Sequence, residues 1–266
     1  MKTAYVLLSG VLAMTAAAVV SAAPGVDDRL TLSANGSTIV DASGGGGGSI
    51  GWLHNFSANT IVGAAAEYES LVNSHWSFGS LSVSFGRGEA NRRSTFYADA
   101  HVGSGDDGVQ DFDYSTYVAG MYQNLTRQVI LQLEDKQVDI GRTHGNLPKA
   151  GIQVLVTPRL LTNISYAHSI SGNLGTRLGF VRIDYYGKSA NFIIGGAGGK
   201  ASPDIVDLHG LFTPGATLRE GFIGVGKPLK NTDLTLLGDY IKLGQTERVT
   251  VTLNCTVHLR GRGGSR

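Results

Sequence analysis

A single cysteine, Cys255, leaves no partner for an intramolecular disulfide, so this 266-residue chain is not held by covalent staples as small exported scaffolds are. Six prolines, with no long run rich in serine and proline, argue against a disordered linker or tail. Charge is nearly balanced: 22 Lys and Arg against 21 Asp and Glu leave a net +1, which disfavours a nucleic-acid-binding surface. Beyond residue 22 no apolar run approaches the roughly 20 residues of a spanning helix, which disfavours a helical membrane protein.

Glycine is the residue in excess. Its 38 copies are about twice the usual share of roughly 7%, and they fall inside apparent strands as well as in turns. The chain also opens on a recognisable leader: Met1-Lys2, the apolar "AYVLLSGVLAMTAAAVV", then "VSA" with small residues before a cut at Ala22 or Ala23. Residues 1–22 read as a secretory signal peptide, and 23–266 as one mature domain working outside the cytoplasm.

Alternation organises everything after the leader. In "RVTVTLNCTVHLR", residues 248–260, one face carries Val249, Val251, Leu253, Cys255, Val257 and Leu259, and the other Thr250, Thr252, Asn254, Thr256, His258 and Arg260. The pattern recurs in fourteen segments, from "DRLTLSANGSTI" to this last one, at about the 9 to 11 residues that cross a bilayer at a tilt. Connections alternate in length. "AN" at 58–59, "TR" at 126–127, "KS" at 188–189 and "KNT" at 230–232 fall on one side; "VDASGGGGG", "GSGDDGVQD", "GRTHGNLPK" and "SPDIVDLHGLFTPGATLR" fall on the other. Short periplasmic turns and longer outer loops are the asymmetry of bacterial outer-membrane barrels. The fold expected is therefore all-β: a transmembrane antiparallel up-and-down β-barrel of about 14 strands, with 12 or 16 as neighbours. The soluble competitor is a secreted β-sandwich or lipocalin-like cup, which the same alternation permits.

Facing follows from the same period. Thr95, Tyr97, Asp99 and His101 oppose Phe96, Ala98, Ala100 and Val102; Gln132, Glu134 and Lys136 oppose Val129, Leu131 and Leu133; Arg182 and Asp184 oppose Val181, Ile183 and Tyr185. A lipid-facing Arg or Lys at mid-membrane costs roughly 2–4 kcal/mol, so the charged face points into the lumen. The lumen-lining polar residues expected are Asp99, His101, Glu134, Lys136, Arg182, Asp184 and Asp239. The longest connection, 202–219, is expected to fold inward as a gate through Leu208, Leu211 and Phe212.

Catalytic chemistry has two candidate residues. His168 stands in "YAHSISGN", but a same-face hydroxyl partner would have to sit at 166 or 170, which are Tyr and Ile. His144 stands in the densest charged stretch, "QLEDKQVDIGRTHGNLPK", where mixed charges pair with each other or with lipopolysaccharide. Rim roles are preferred for both, and no catalytic residue is assigned. The acidic "GSGDDGVQDFD" lacks the Gly and Glu spacing of an EF-hand, and "GGAGGK" at 195–200 lacks the Walker spacing, so neither a metal nor a cofactor is expected.

Residues 182–244, "RIDYYGKSANFIIGGAGGKASPDIVDL" through "REGFIGVGKPLKNTDLTLLGDYIKLG", resemble YaiO-type barrels, related to those that end exopolysaccharide exporters. The shared features are an Arg-x-Asp-Tyr-Tyr-Gly strand, a Gly-rich strand closing on Ser202-Pro203, and a "VGKPL" hairpin. The resemblance implies a Gram-negative outer-membrane barrel and an association with envelope saccharide-export components. The function expected is a channel or export conduit for a small solute or saccharide. A non-conducting structural or export-accessory barrel and a barrel-embedded envelope-modifying hydrolase are the alternatives. Expected partners are outer-membrane lipid, lipopolysaccharide and the barrel assembly machinery.

Overall fold

A computed structural model describes residues 27–40, 44–57, 59–71, 74–88, 93–106, 111–201 and 216–260. The leader at 1–22 and the gate residues Leu208, Leu211 and Phe212 lie outside the described residues. Fourteen strands follow one another: β1 (Asp27–Ile39), β2 (Gly44–Ser57), β3 (Thr60–Leu71), β4 (Ser74–Arg87), β5 (Ser94–Asp106), β6 (Asp111–Asn124), β7 (Val129–Ile140), β8 (Thr143–Thr157), β9 (Leu160–His168), β10 (Arg177–Tyr186), β11 (Asn191–Ala201), β12 (Ala216–Pro228), β13 (Thr232–Leu243) and β14 (Thr246–Arg260).

Each strand pairs antiparallel with its sequence neighbours, and β1 pairs with β14 from Asp27↔Arg260 to Ile39↔Arg248, which closes the sheet into a barrel. Closure removes the unpaired edges that would otherwise be intolerable in hydrocarbon. Because the strand number is even, β1 starts and β14 ends at one rim, here called the terminal rim; the opposite one is the far rim. Among the described residues, the far-rim hairpins at 141–142 and 244–245 turn in only two residues, and each begins on a glycine of positive φ, Gly141 at 58° and Gly244 at 59°. The primed turns that join hairpin strands demand that conformation at their first central residue, and glycine adopts it without strain.

Several connections differ from the sequence expectation. The stretch 143–149 is the start of β8, not part of a long loop, because Thr143–Val154 runs in unbroken register with β7. Glycines 44–48 belong to β2 rather than to a loop; all five pair with β1 and 45–48 also pair with β3, so backbone hydrogen bonds hold them where side chains do not. Ladder pairing with β11 likewise draws residues 216–219 into β12. Far-rim connections are thus mostly short, with 169–176 and 202–215 the two long exceptions.

The outer wall carries the apolar face. Leu81, Ile164 and Ile223 are exposed at 66%, 61% and 64%, a burial pattern that makes sense only if hydrocarbon covers them. Trp52, Phe56, Phe85, Phe96, Tyr185 and Phe192 face outward near the terminal rim, and Tyr68, Tyr117, Tyr166 and Tyr240 face outward towards the far rim. Two aromatic girdles bounding an apolar band are what the two bilayer interfaces select. Ile223→Arg is expected to destabilise the barrel by about 2–4 kcal/mol in vesicles, read as a lower urea midpoint for loss of heat-modifiable migration. An unchanged midpoint would mean that lipid does not cover this face.

Candidate functional site

Inside the barrel the side chains form two zones. In the middle, Glu134 on β7 is buried at 8% exposure and collects three donors. The Tyr97 hydroxyl donates to its Oε2 at 2.7 Å, Gln132 Nε2 to the same oxygen at 3.4 Å, and Lys149 Nζ on β8 to its Oε1 at 2.9 Å. A carboxylate so enclosed stays charged only because a cation and neutral donors replace its water. Tyr97 stacks on Tyr122 with ring centroids 5.3 Å apart.

Asp99 lies within electrostatic reach of Glu134, His101 of Lys136, and Tyr122 of Glu134, Asp99 and Arg182. On β10, Arg182 and Asp184 are two residues apart and so share the inner face. Arg182 Nε donates to the two carboxylate oxygens at 3.0 and 2.9 Å and Nη2 to Oδ1 at 2.7 Å. Of the seven polar residues expected in the lumen, six therefore belong to one network through Glu134 and Tyr122. The seventh, Asp239 on β13, is also buried at 8%. Asp99, Glu134 and Asp184 set three formal negative charges against the positive charges of Lys136, Lys149 and Arg182.

Towards the far rim the filling turns aromatic and aliphatic, and it encloses two buried charges, Glu69 directly across from Trp76 and Arg248 directly across from Ile39. Trp76, Phe78, Phe112, Val138, Leu178 and Leu243 are inward, buried, and part of one apolar cluster. Phe78 stacks on Tyr114 at 5.2 Å and meets His101, the upper edge of the polar zone, at 5.8 Å. The outer wall at this height is polar, with Asp113, Asp139 and His144 exposed. Above the membrane band, then, the wall behaves like a soluble sheet, with water outside and a largely apolar filling within.

The connection 169–176 completes that filling. Leu174 is fully buried in the cluster, and its segment is tied to the extended start of β8. Asn173 N donates to His144 O at 2.9 Å, His144 N to Asn173 Oδ1 at 2.8 Å, and Asn146 N to Ser171 Oγ at 3.1 Å. Gly145 makes room: a Cβ there would fall 3.1 Å from Leu174 Cγ and 2.2 Å from Ser171 O.

The two candidate catalytic histidines do not enter either zone. His144 is exposed on the outer face of β8, and His168 faces outward on β9, stacked on Tyr166 at 6.4 Å. Ser169 Oγ accepts from Thr176 N within the loop, and Ser171 Oγ accepts from Asn146 N and donates to Asn146 Oδ1 on β8, so neither hydroxyl is directed at a histidine. Sequence reading missed Lys149, Trp76 and Leu174. Lys149 was legible, since it lies on the same alternate face as Gln153, but the Gly and Pro around it suggested a loop.

No protein-family model matches the sequence, and no characterised protein sequence aligns with it significantly. Solved structures do resemble the barrel. CymD, a monoaromatic hydrocarbon channel, superposes with a TM-score of 0.64 at 10% identity over 94% of this chain and 93% of its own. The Ralstonia pickettii toluene transporter TbuX gives 0.55 at 9% identity over 90% of each chain. The Acinetobacter baumannii outer membrane protein Omp33 gives 0.55 at 10% identity over 88% of this chain and all of its own. At such identities the likeness is one of fold. With the apolar belt and its girdles, it makes this chain a barrel of the Gram-negative outer membrane.

Proposed function

We propose that the barrel is an outer-membrane channel for a small solute with an apolar, aromatic part and a polar part. The observation that carries the reading is the change along the interior: an aromatic-rich cluster in the far-rim mouth, with Glu69 and Arg248 buried at its level, followed by a hydrogen-bonding middle in which acids and bases pair. A purely hydrophilic pore has no use for Trp76, Phe78 and Phe112 in its mouth. A solute desolvated there would next meet Tyr97, Gln132, Glu134 and Lys149, which offer both donors and acceptors. Because acids and bases pair, selection rests on hydrogen bonding more than on the sign of an ion. The hydrocarbon and toluene transport named for CymD and TbuX supports the aromatic part of the reading.

Passage requires the mouth to part, so the apolar cluster is also the gate. The 202–219 connection remains part of this proposal: its roots, Ala201 and Ala216, pack in and against the cluster. The test is uptake into vesicles of two impermeant probes of similar size, an aromatic glycoside and a disaccharide. Faster entry of the aromatic glycoside is expected; equal entry, or entry of neither, overturns the reading.

A second reading, a non-conducting export-accessory barrel, is favoured by how fully the mouth is filled. The resemblance of 182–244 to YaiO-type barrels supports that reading, and co-purification with saccharide-export components would distinguish it.

A further inference from the structure

The geometry points to a binding site for a phosphorylated glycolipid of the outer leaflet, the lipid A type, on the outer wall of β10 to β13. Four cations stand there side by side at the far-rim edge of the apolar belt: Arg177 on β10, Lys200 on β11, Arg219 on β12 and Lys242 on β13. Ladder register sets Arg177 directly across from Lys200, and Arg219 directly across from Lys242. Like charges directly opposite on neighbouring strands destabilise a sheet, and here two such pairs are adjacent. An anion bridging them turns that repulsion into attraction, through charge-assisted hydrogen bonds to phosphate oxygens.

Height on the wall selects the ligand. Lys242 is two residues beyond Tyr240 on the same face, and Arg177 pairs with His168, two residues beyond Tyr166. Both tyrosines belong to the far girdle, so the cations sit at the level of lipid headgroups, just outside the hydrocarbon. The charge of the far-rim wall is also sorted around the barrel. Asp106, Asp111, Asp113 and Asp139 occupy the outer face of β5 to β7, and the four cations occupy β10 to β13. Among the described residues the acid hydrogen-bonded to the quartet is Glu247, on Lys242.

Below the cations the wall is bare. Gly179, Gly198, Gly221 and Gly238 face outward on the same four strands. A Cβ at Gly221 would meet nothing within 4 Å, and at Gly179, Gly198 and Gly238 its nearest contacts would be 3.9 to 4.0 Å away. None of the four has a positive φ, so nothing in the barrel itself requires glycine at these positions. Strand glycines weaken a sheet and mark places where something approaches closely. Here they leave a recess that acyl chains can fill, bounded below by Val181 and Ile223. The inference is independent of whether the lumen conducts, and rests on the terminal rim facing the periplasm.

The experiment uses the refolded full-length barrel in detergent, with native mass spectrometry counting bound bisphosphoryl lipid A, monophosphoryl lipid A or phosphatidylglycerol. The wild-type protein is expected to retain bisphosphoryl lipid A best. Replacing Arg177, Lys200, Arg219 and Lys242 with Gln should weaken retention on the order of a hundredfold. The control Lys188→Gln/Lys227→Gln/Lys230→Gln, at the terminal rim, should leave retention unchanged. Melting supplies a sign test: without lipid A the quadruple variant is expected to melt above the wild type, and with lipid A below it. Gly179→Val/Gly221→Val fills the recess and should lower retention while keeping the preference for two phosphates. Equal retention by the quadruple variant, an equal loss in the control, or a preference for phosphatidylglycerol overturns the proposal.

Discussion

Trp76→Ala is expected to turn a closed barrel into a leaky one, with planar-bilayer conductance rising and small sugars entering vesicles that exclude them with the wild-type protein. Trp76 is 1% exposed and is among the largest fully buried side chains, in a cluster that fills the far mouth. Removing a buried Trp costs about 3–5 kcal/mol, part of it as a cavity. In a soluble core such a cavity stays dry. Here it opens between a polar lumen below and water above, and once the constriction no longer excludes water, ions and sugars follow. Leu174→Ala should act in the same direction, because it releases the contact that the 169–176 connection makes with the cluster. Heat-modifiable migration checks that both variants still form barrels. Folded variants as silent as the wild type would place the barrier elsewhere.

Lys149→Met should be among the most destabilising single changes in the middle of the barrel, at about 3–5 kcal/mol, because it strands the Glu134 carboxylate. Glu134 is 4% exposed at its side chain and Lys149 17%, so solvent screens this pair little. The remaining donors, Tyr97 and Gln132, are neutral. Adding Glu134→Gln in the same chain is expected to recover most of the loss, since the amide oxygen still accepts from the Tyr97 hydroxyl without a charge to bury. Urea midpoints of the two single variants and the double variant give the coupling directly. If the losses simply add, the ion pair is not what stabilises this zone.

How far the sequence could be read depended on which physical rule each element obeyed. Strand β14 was readable residue by residue, because alternation has one meaning once one face is apolar and the other polar. The same rule put Asp99, Glu134 and Arg182 on one face of their strands. It failed where composition pointed the other way. Glycines 44–48 read as a loop because they present no faces, yet the ladder to β1 and β3 needs only backbone. Residues 143–149 read as a loop because Gly and Pro usually break strands, but Pro148 sits within β8, paired with Asp135.

By itself the sequence determined the face each side chain takes and pointed to about 14 strands, because a period of two is a property of the backbone and acts within a single strand; the closed barrel decided between 12, 14 and 16 strands and between a lipid-covered wall and a sandwich. Only the closed barrel decided which inward residues meet. Glu134 finds Lys149 because β7 and β8 pair in one register and not the next. Trp76, from β4, and Leu243, from β13, share a cluster because the sheet curves shut. That the connection closing the mouth among the described residues is 169–176 follows from the 15-residue β8 outrunning the nine-residue β9, which leaves backbone donors for the loop to satisfy.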